Sequence, residues 1–176
     1  MIVVSLLGIL YCVYPIIMAY LSPTLLKTGQ VDEQKGFYIV IPKIHAEAAV
    51  IPNVDPWNKA VYLPALRQGV AQAKGTAFPG QQGTIFLFAH SSGAPWEVNW
   101  YNTIFMRLGE LKNGDEIILW KDGGKYVYKV REKKEVRPNE VSYLLNTQRT
   151  QLIVQTCTPI GTTLRRLLVF LDFVGK

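Results

Sequence analysis

Cysteine and histidine are scarce in this 176-residue chain, which holds only Cys12 and Cys157, His45 and His90. Two cysteines cannot build a disulfide framework or a multi-cysteine zinc site. Cys12 lies within an apolar run, so Cys157 is the sole thiol of the remainder. Runs of one charge are also lacking. Lys and Arg outnumber Asp and Glu by 19 to 13, yet basic residues adjoin only at Lys133-Lys134 and Arg165-Arg166. No basic stripe or nucleic-acid-binding motif emerges, so the net charge of +6 fits an anionic envelope or membrane rather than DNA or RNA. The apolar fraction of 49% against 18% charged residues excludes disorder.

Charge is missing altogether from Ile2 to Leu26. Ile2 to Leu21 is almost wholly apolar and long enough, at about 1.5 Å per residue, to cross a hydrocarbon core of about 30 Å. Pro15 is compatible with a kinked membrane helix. A cleaved signal peptide fits less well, because the apolar run is long and no basic segment leads it. The plan expected is an anchor over residues 1–21, a polar linker over 22–36, and one domain over 37–176. The first positive side chain is Lys27, on the C-terminal side, so charge alone leaves the orientation open.

Within the domain, Phe37 to Ile44 and Ala48 to Val54 read as short strands interrupted by proline, as edge strands tolerate. Leu63, Leu66 and Val70 have helical spacing, predicting a helix over Leu63 to Ala73. Thr84 to Ala89 is an apolar strand that stops at His90. Asn102 to Leu111 suits a second helix. Asp122-Gly123-Gly124 between Glu116–Trp120 and Lys125–Val130 signals a hairpin. Arg131 to Asn146 reads as a charged connection with a helical turn at Val141 to Leu145. Gln151 to Thr156 and Leu167 to Val174 form the last strands, joined by the loop Thr158 to Leu164. About eight short strands and two or three small helices favour a mainly β, closed, antiparallel-rich barrel.

His90 and Cys157 each stand where an apolar strand gives way to a loop rich in Gly, Pro, Ser or Thr, which suits exposed groups held on a rigid scaffold. A lone thiol can instead be a small buried hydrophobe, and His90 a hydrogen-bonded strand-end residue. His45 reads as a surface turn residue. Trp96, Trp100 and Tyr101 read as exposed loop packing, and Lys133-Lys134 as a solvated face.

The run Gln155-Thr156-Cys157-Thr158-Pro159-Ile160-Gly161-Thr162-Thr163-Leu164-Arg165-Arg166-Leu167-Leu168-Val169 resembles the sortase signature, in which Thr-Cys ends one strand and an Arg opens the next. Ile41-Pro42-Lys43-Ile44, Gly75-Thr76-Ala77-Phe78-Pro79-Gly80-Gln81-Gln82-Gly83 and Phe88-Ala89-His90-Ser91 resemble the same family, in the family's order. Ile153-Val154 replaces the usual Thr-Leu, Ala89 the usual Gly, and Ser91 the usual Arg or Asn. Thr-Pro-x-Gly and Arg-Leu-Leu-Val lean toward pilin-type or related minor classes. Asp55-Pro56-Trp57 is similar to the lid motif of pilin-polymerising sortases, but it follows the Ile-Pro-Lys strand and reads as a loop turn.

The resemblance implies an eight-stranded sortase barrel and a transpeptidase working outside the membrane on surface proteins or pilins. Cys157 is the implied nucleophile, attacking between Thr and Gly of an LPXTG-like signal to form a thioester. An amine of the cell wall or a pilin lysine then releases it. His90 is the implied general acid/base and Arg166 the implied stabiliser of the oxyanion or substrate. Arg166, rather than Arg165, directly precedes Leu-Leu-Val. This chemistry calls for no metal or cofactor. By order, the connection Arg131 to Asn146 corresponds to the family's signal-reading loop. The rival readings are a hydrolytic cysteine peptidase, a non-catalytic peptide-binding barrel, and an L,D-transpeptidase, a class that places Gly before the cysteine where this chain has Thr156.

Every motif lies beyond Phe37, so deleting Met1 to Leu21 is expected to leave a soluble, active domain. The full chain is expected to fractionate with membranes, its domain open to external protease. A domain protected in intact cells would contradict that topology.

Overall fold

The computed structural model describes Tyr14 and residues 36–91, 104–145 and 149–176. The expected anchor and linker lie outside the described residues except for Tyr14 and Gly36, as do Trp96, Trp100 and Tyr101. Among the described residues, no helix is long and apolar enough to cross a membrane.

Eight strands close into a barrel: β1 (Phe37–Ile41), β2 (Ala46–Val54), β3 (Val70–Ala73), β4 (Thr84–Phe88), β5 (Glu116–Lys121), β6 (Gly124–Val136), β7 (Gln151–Thr158) and β8 (Arg165–Gly175). Their order around the wall is β1-β2-β3-β4-β7-β8-β6-β5, with β5 returning to β1. Two pairings are parallel, β2 with β3 and β4 with β7, and the rest are antiparallel. The mainly β barrel is the architecture expected. Its interior is filled by residues such as Ile39, Leu119, Leu152, Val154 and Val169, each almost wholly excluded from water. Burial of each such side chain contributes roughly 1.5–3 kcal/mol relative to exposure.

Closure alters the role of the prolines. A closed barrel has no edge strand to hold them. Pro42 instead ends β1 and opens a 3-10 turn over Pro42–Ile44. Pro52 sits where the β2–β3 register shifts between Ile51 and Val54, so its missing N–H breaks no ladder bond. The next residue, Asn53, has φ +56°, and its N–H donates to Gln72 Oε1 at 2.8 Å.

The predicted helix over 63–73 is displaced. Helix α1 covers Lys59–Leu66, opened by Asn58, whose side chain accepts from the Ala60 N–H at 3.0 Å. The Leu63, Leu66, Val70 spacing is accidental, because Val70 begins β3, whose residues are all buried. Gly69 explains the switch: a Cβ there would lie 2.3 Å from the Ala49 carbonyl oxygen. Chain reversal into β3 therefore needs a residue without a side chain. The described part of Asn102–Leu111 is turns and a 3-10 turn at Leu108–Glu110, not an α-helix.

The hairpin prediction holds in detail. Lys121 pairs with Gly124, leaving Asp122 and Gly123 as a two-residue loop with φ +49° and +76°. Positive φ at both positions is the type I′ requirement. Strand β6 runs on to Val136, where a charged connection was expected, because it pairs with β8 from Val127 to Val136 and its polar side chains face water. The expected helical turn is present as α2 (Ser142–Leu145). Strands β7 and β8 also reach further than predicted, to Thr158 and from Arg165, so Cys157 and Arg166 lie within strands.

Gly69→Ala is expected to destabilise the domain by about 2–3 kcal/mol, the scale of an overpacked core site. Urea denaturation measures this; an unchanged midpoint would mean that β2 and the α1–β3 turn yield to the extra methyl.

Candidate active site

The site is built on the outer face of three adjacent strands. Parallel pairing sets Phe86 against Ile153 and Phe88 against Gln155. The ladder continues beyond β4: the Ala89 N–H donates to the Gln155 carbonyl at 3.2 Å. Thr156 Oγ1 donates back to the Ala89 carbonyl at 3.1 Å. These two bonds hold the end of β4 against β7, and the continued register brings His90 level with Cys157. On the other side, antiparallel pairing sets Cys157 opposite Arg166. Paired residues share a face of the sheet, so Cys157 and Arg166 point the same way, and His90 follows just past the end of β4.

All three line a groove of about 380 Å³, a volume suited to a small ligand or a peptide segment. Its floor includes Phe86, Phe88, Gln155 and Leu168. One wall is the turn before α1 and α1 itself, through Trp57, Lys59 and Tyr62; the other is the β6–β7 connection, through Pro138, Glu140 and Tyr143. The walls are braced from below. Tyr62 meets the Phe88 ring edge-on at 6.3 Å, and Tyr143 meets Phe170 at 5.5 Å. The Tyr143 hydroxyl donates to Glu140 Oε1 at 3.2 Å.

Cys157 is a free, half-buried thiol. Arg166 is oriented by its own loop: Nη1 donates to the Thr163 carbonyl at 3.1 Å and to the Arg165 carbonyl at 3.2 Å. Nε and Nη2 remain for other acceptors. Arg165 pairs with Thr158 on the opposite face, is exposed and does not line the groove. The alternation expected of neighbouring strand residues therefore separates the two arginines.

His45 lies far from this role, exposed in a left-handed turn with φ +53°. Asp55-Pro56-Trp57 is a loop turn, as expected, closed by the Trp57 N–H donating to Asp55 Oδ1 at 2.9 Å. It nonetheless forms part of the groove wall, which sequence reasoning missed. Lys133 and Lys134 are exposed, as expected of a solvated face, and Lys133 also donates to the Gly109 carbonyl at 2.7 Å. Lys134 lies over the Phe170 ring at 5.7 Å. Of the expected signal-reading connection, residues up to Val136 belong to β6, and only the later part reaches the groove.

A larger cavity of about 750 Å³ opens by the β5–β6 hairpin, lined by Phe37, Phe78, Lys121, Tyr126 and Lys176 among others. It contains no cysteine or histidine. Its lysines are engaged, Lys121 by Asp122 and Lys176 over the Tyr126 ring at 5.5 Å. The thiol, with His90 and Arg166, lines the smaller groove instead.

The comparisons with known proteins concern the domain that carries this groove. The sortase domain family matches residues 39–174, and this chain belongs to the sortase family. It is similar to sortase D of Bacillus subtilis (strain 168), with 28% identity over 141 residues, covering 78% of this chain and 63% of that protein. The chain thus spans less than two thirds of that relative's length. Among solved structures it is similar to sortase C-1 of Actinomyces oris, with 27% identity, a TM-score of 0.67, and coverage of 87% of this chain and 81% of that one. It is also similar to sortase A of Corynebacterium diphtheriae, with 26% identity, a TM-score of 0.66, and coverage of 81% and 61%. The likeness spans proteins called sortase A, C and D.

For acyl transfer to Cys157, Arg166→Ala is expected to slow the step by about a hundredfold or more, the scale of losing one oxyanion donor. Arg166→Lys should rescue poorly, since a point charge lacks the planar fork. Arg165→Ala should change the rate by less than about threefold, as for a solvated charge. Single-turnover kinetics separate these outcomes; a crippled Arg165 variant would contradict the observed register.

Proposed function

We propose that the chain is a cysteine transpeptidase that cleaves an LPXTG-like sorting signal between Thr and Gly and joins the released carboxyl end to an amine. The observation that supports this most is the convergence of His90, just past β4, with Cys157 of β7 and Arg166 of β8 on one groove.

The attacking species is the thiolate, so in this reading the Cys157 proton passes to His90 before attack. Cys157 Sγ adds to the Thr carbonyl, and the oxyanion that develops meets the free guanidinium N–H groups of Arg166. His90 gives its proton to the departing Gly amine as the C–N bond breaks, leaving a Cys157 thioester and a neutral imidazole. An incoming amine then attacks the thioester, His90 takes up its proton, and Sγ leaves as the thiolate. The product is a new amide, and the enzyme returns to its starting state. The acceptor is an amine of cell-wall peptide or a pilin lysine, and the substrates are surface proteins or pilins bearing the signal. In this reading the domain works on the outer side of the membrane, tethered by Ile2 to Leu21.

The test is mass spectrometry of the chain incubated with signal peptides and amines. A thioester-sized mass increment on Cys157 and a peptide–amine ligation product are expected, both lost in Cys157→Ala with the fold retained. Cleaved peptide without ligation would favour a hydrolytic peptidase, and turnover by Cys157→Ala would exclude this mechanism.

A further inference from the structure

The face of the sheet beneath the groove is an array set by the two registers. Strand β4 and its extension supply Phe86, Phe88 and His90; β7 supplies Ile153, Gln155 and Cys157; β8 supplies Phe170, Leu168 and Arg166. The rows behind the reactive one are apolar except at their middle, Gln155. Phe88 and Leu168 flank it and are 8% and 1% exposed.

Gln155 is half-buried and lines the groove. Its carboxamide offers two N–H donors and a carbonyl acceptor, and among the described residues it has no hydrogen-bond partner. Water satisfies such a group while the groove is open. A ligand that fills the groove strips that water away, and an amide left without a partner between Phe88 and Leu168 then opposes binding. Only a ligand with a matching polar group avoids the loss.

Geometry limits which part of a peptide can supply that group. In an extended peptide lying along β7, N–H and C=O groups point sideways, while alternate side chains point at the floor. Two strand residues span about 7 Å, and the same repeat separates successive floor-facing side chains. We propose that Gln155 is a specificity-determining residue, whose carboxamide hydrogen-bonds a polar side chain of the signal one floor row away from the carbonyl that Cys157 attacks. This rests on the transpeptidase reading above and adds to it a substrate class: signals with a hydrogen-bonding side chain at one position upstream of the cleaved bond.

The experiment uses the full chain in detergent and LPXTG-like peptides varied at each of the positions preceding Thr, with ligation to a glycine amine followed by mass spectrometry. At one position, Asn, Gln or Ser is expected to exceed apolar side chains of similar size by about five- to tenfold in kcat/KM, the scale of one hydrogen bond. Gln155→Met, close in shape and apolar, should erase that preference. Gln155→Glu should move it toward Lys and Arg at the same position. A Gln155→Met profile identical to that of the unaltered chain would overturn the proposal. So would an equal loss on every peptide, which marks a backbone contact or a structural role. Absence of any Cys157 thioester in the unaltered chain is a different failure, that of the transpeptidase reading itself.

Discussion

Parallel pairing of β4 with β7 is the constraint on which the rest of the site depends. Parallel neighbours cannot be joined by a tight turn; their connection must travel. Here the chain between β4 and β7 lays down β5, β6 and α2 before returning. That detour places β6 beyond β8, closes the wall through β5 and β1, and delivers the β6–β7 connection to the groove as its second wall. A slip of one residue between β4 and β7 would turn Leu152 and Val154 outward and Cys157 inward. The buried interior of β7, with Leu152 and Val154 fully excluded from water, therefore fixes the direction of the thiol as well as the core.

The candidate site residues were legible because their chemistry is rare in this composition. With one thiol outside the apolar start and two histidines, candidate pairs were few, and strand-end positions narrowed them further. The arginine was a matter of strand alternation together with motif order, and the Cys157–Arg166 pairing agrees with that choice. Strand existence was also legible, and the Asp122-Gly123 turn followed from the need for positive φ at adjacent positions.

What escaped were features decided by tertiary contact. Leu63, Leu66 and Val70 mimic a helical face, whereas helix α1 stops at Leu66 and the close approach of Gly69 to Ala49 leads the chain into β3. The charged residues of β6 hid a strand whose partner is β8 and whose other face is water. Trp57, Tyr62 and Tyr143 converge on the groove from separate segments, and no spacing in sequence announces such a meeting. Gln155 could have been found. It lies two residues before Cys157 in a strand and so shares its face, and it is polar where its apolar neighbours set the pattern.

Arg166 arrives at the groove already tied down. A free arginine side chain has many rotamers, and holding one of them for a ligand costs up to about 2 kcal/mol of conformational entropy. The two carbonyls that accept from Nη1 come from Thr163, in the loop that leads into β8, and from Arg165, the first residue of that strand. Much of that ordering is consequently charged to folding instead of to the encounter with substrate. In the proposed reaction, mobility of the β7–β8 loop is a handle on turnover: loosening it would return the guanidinium to its many rotamers without altering the other groups that line the groove.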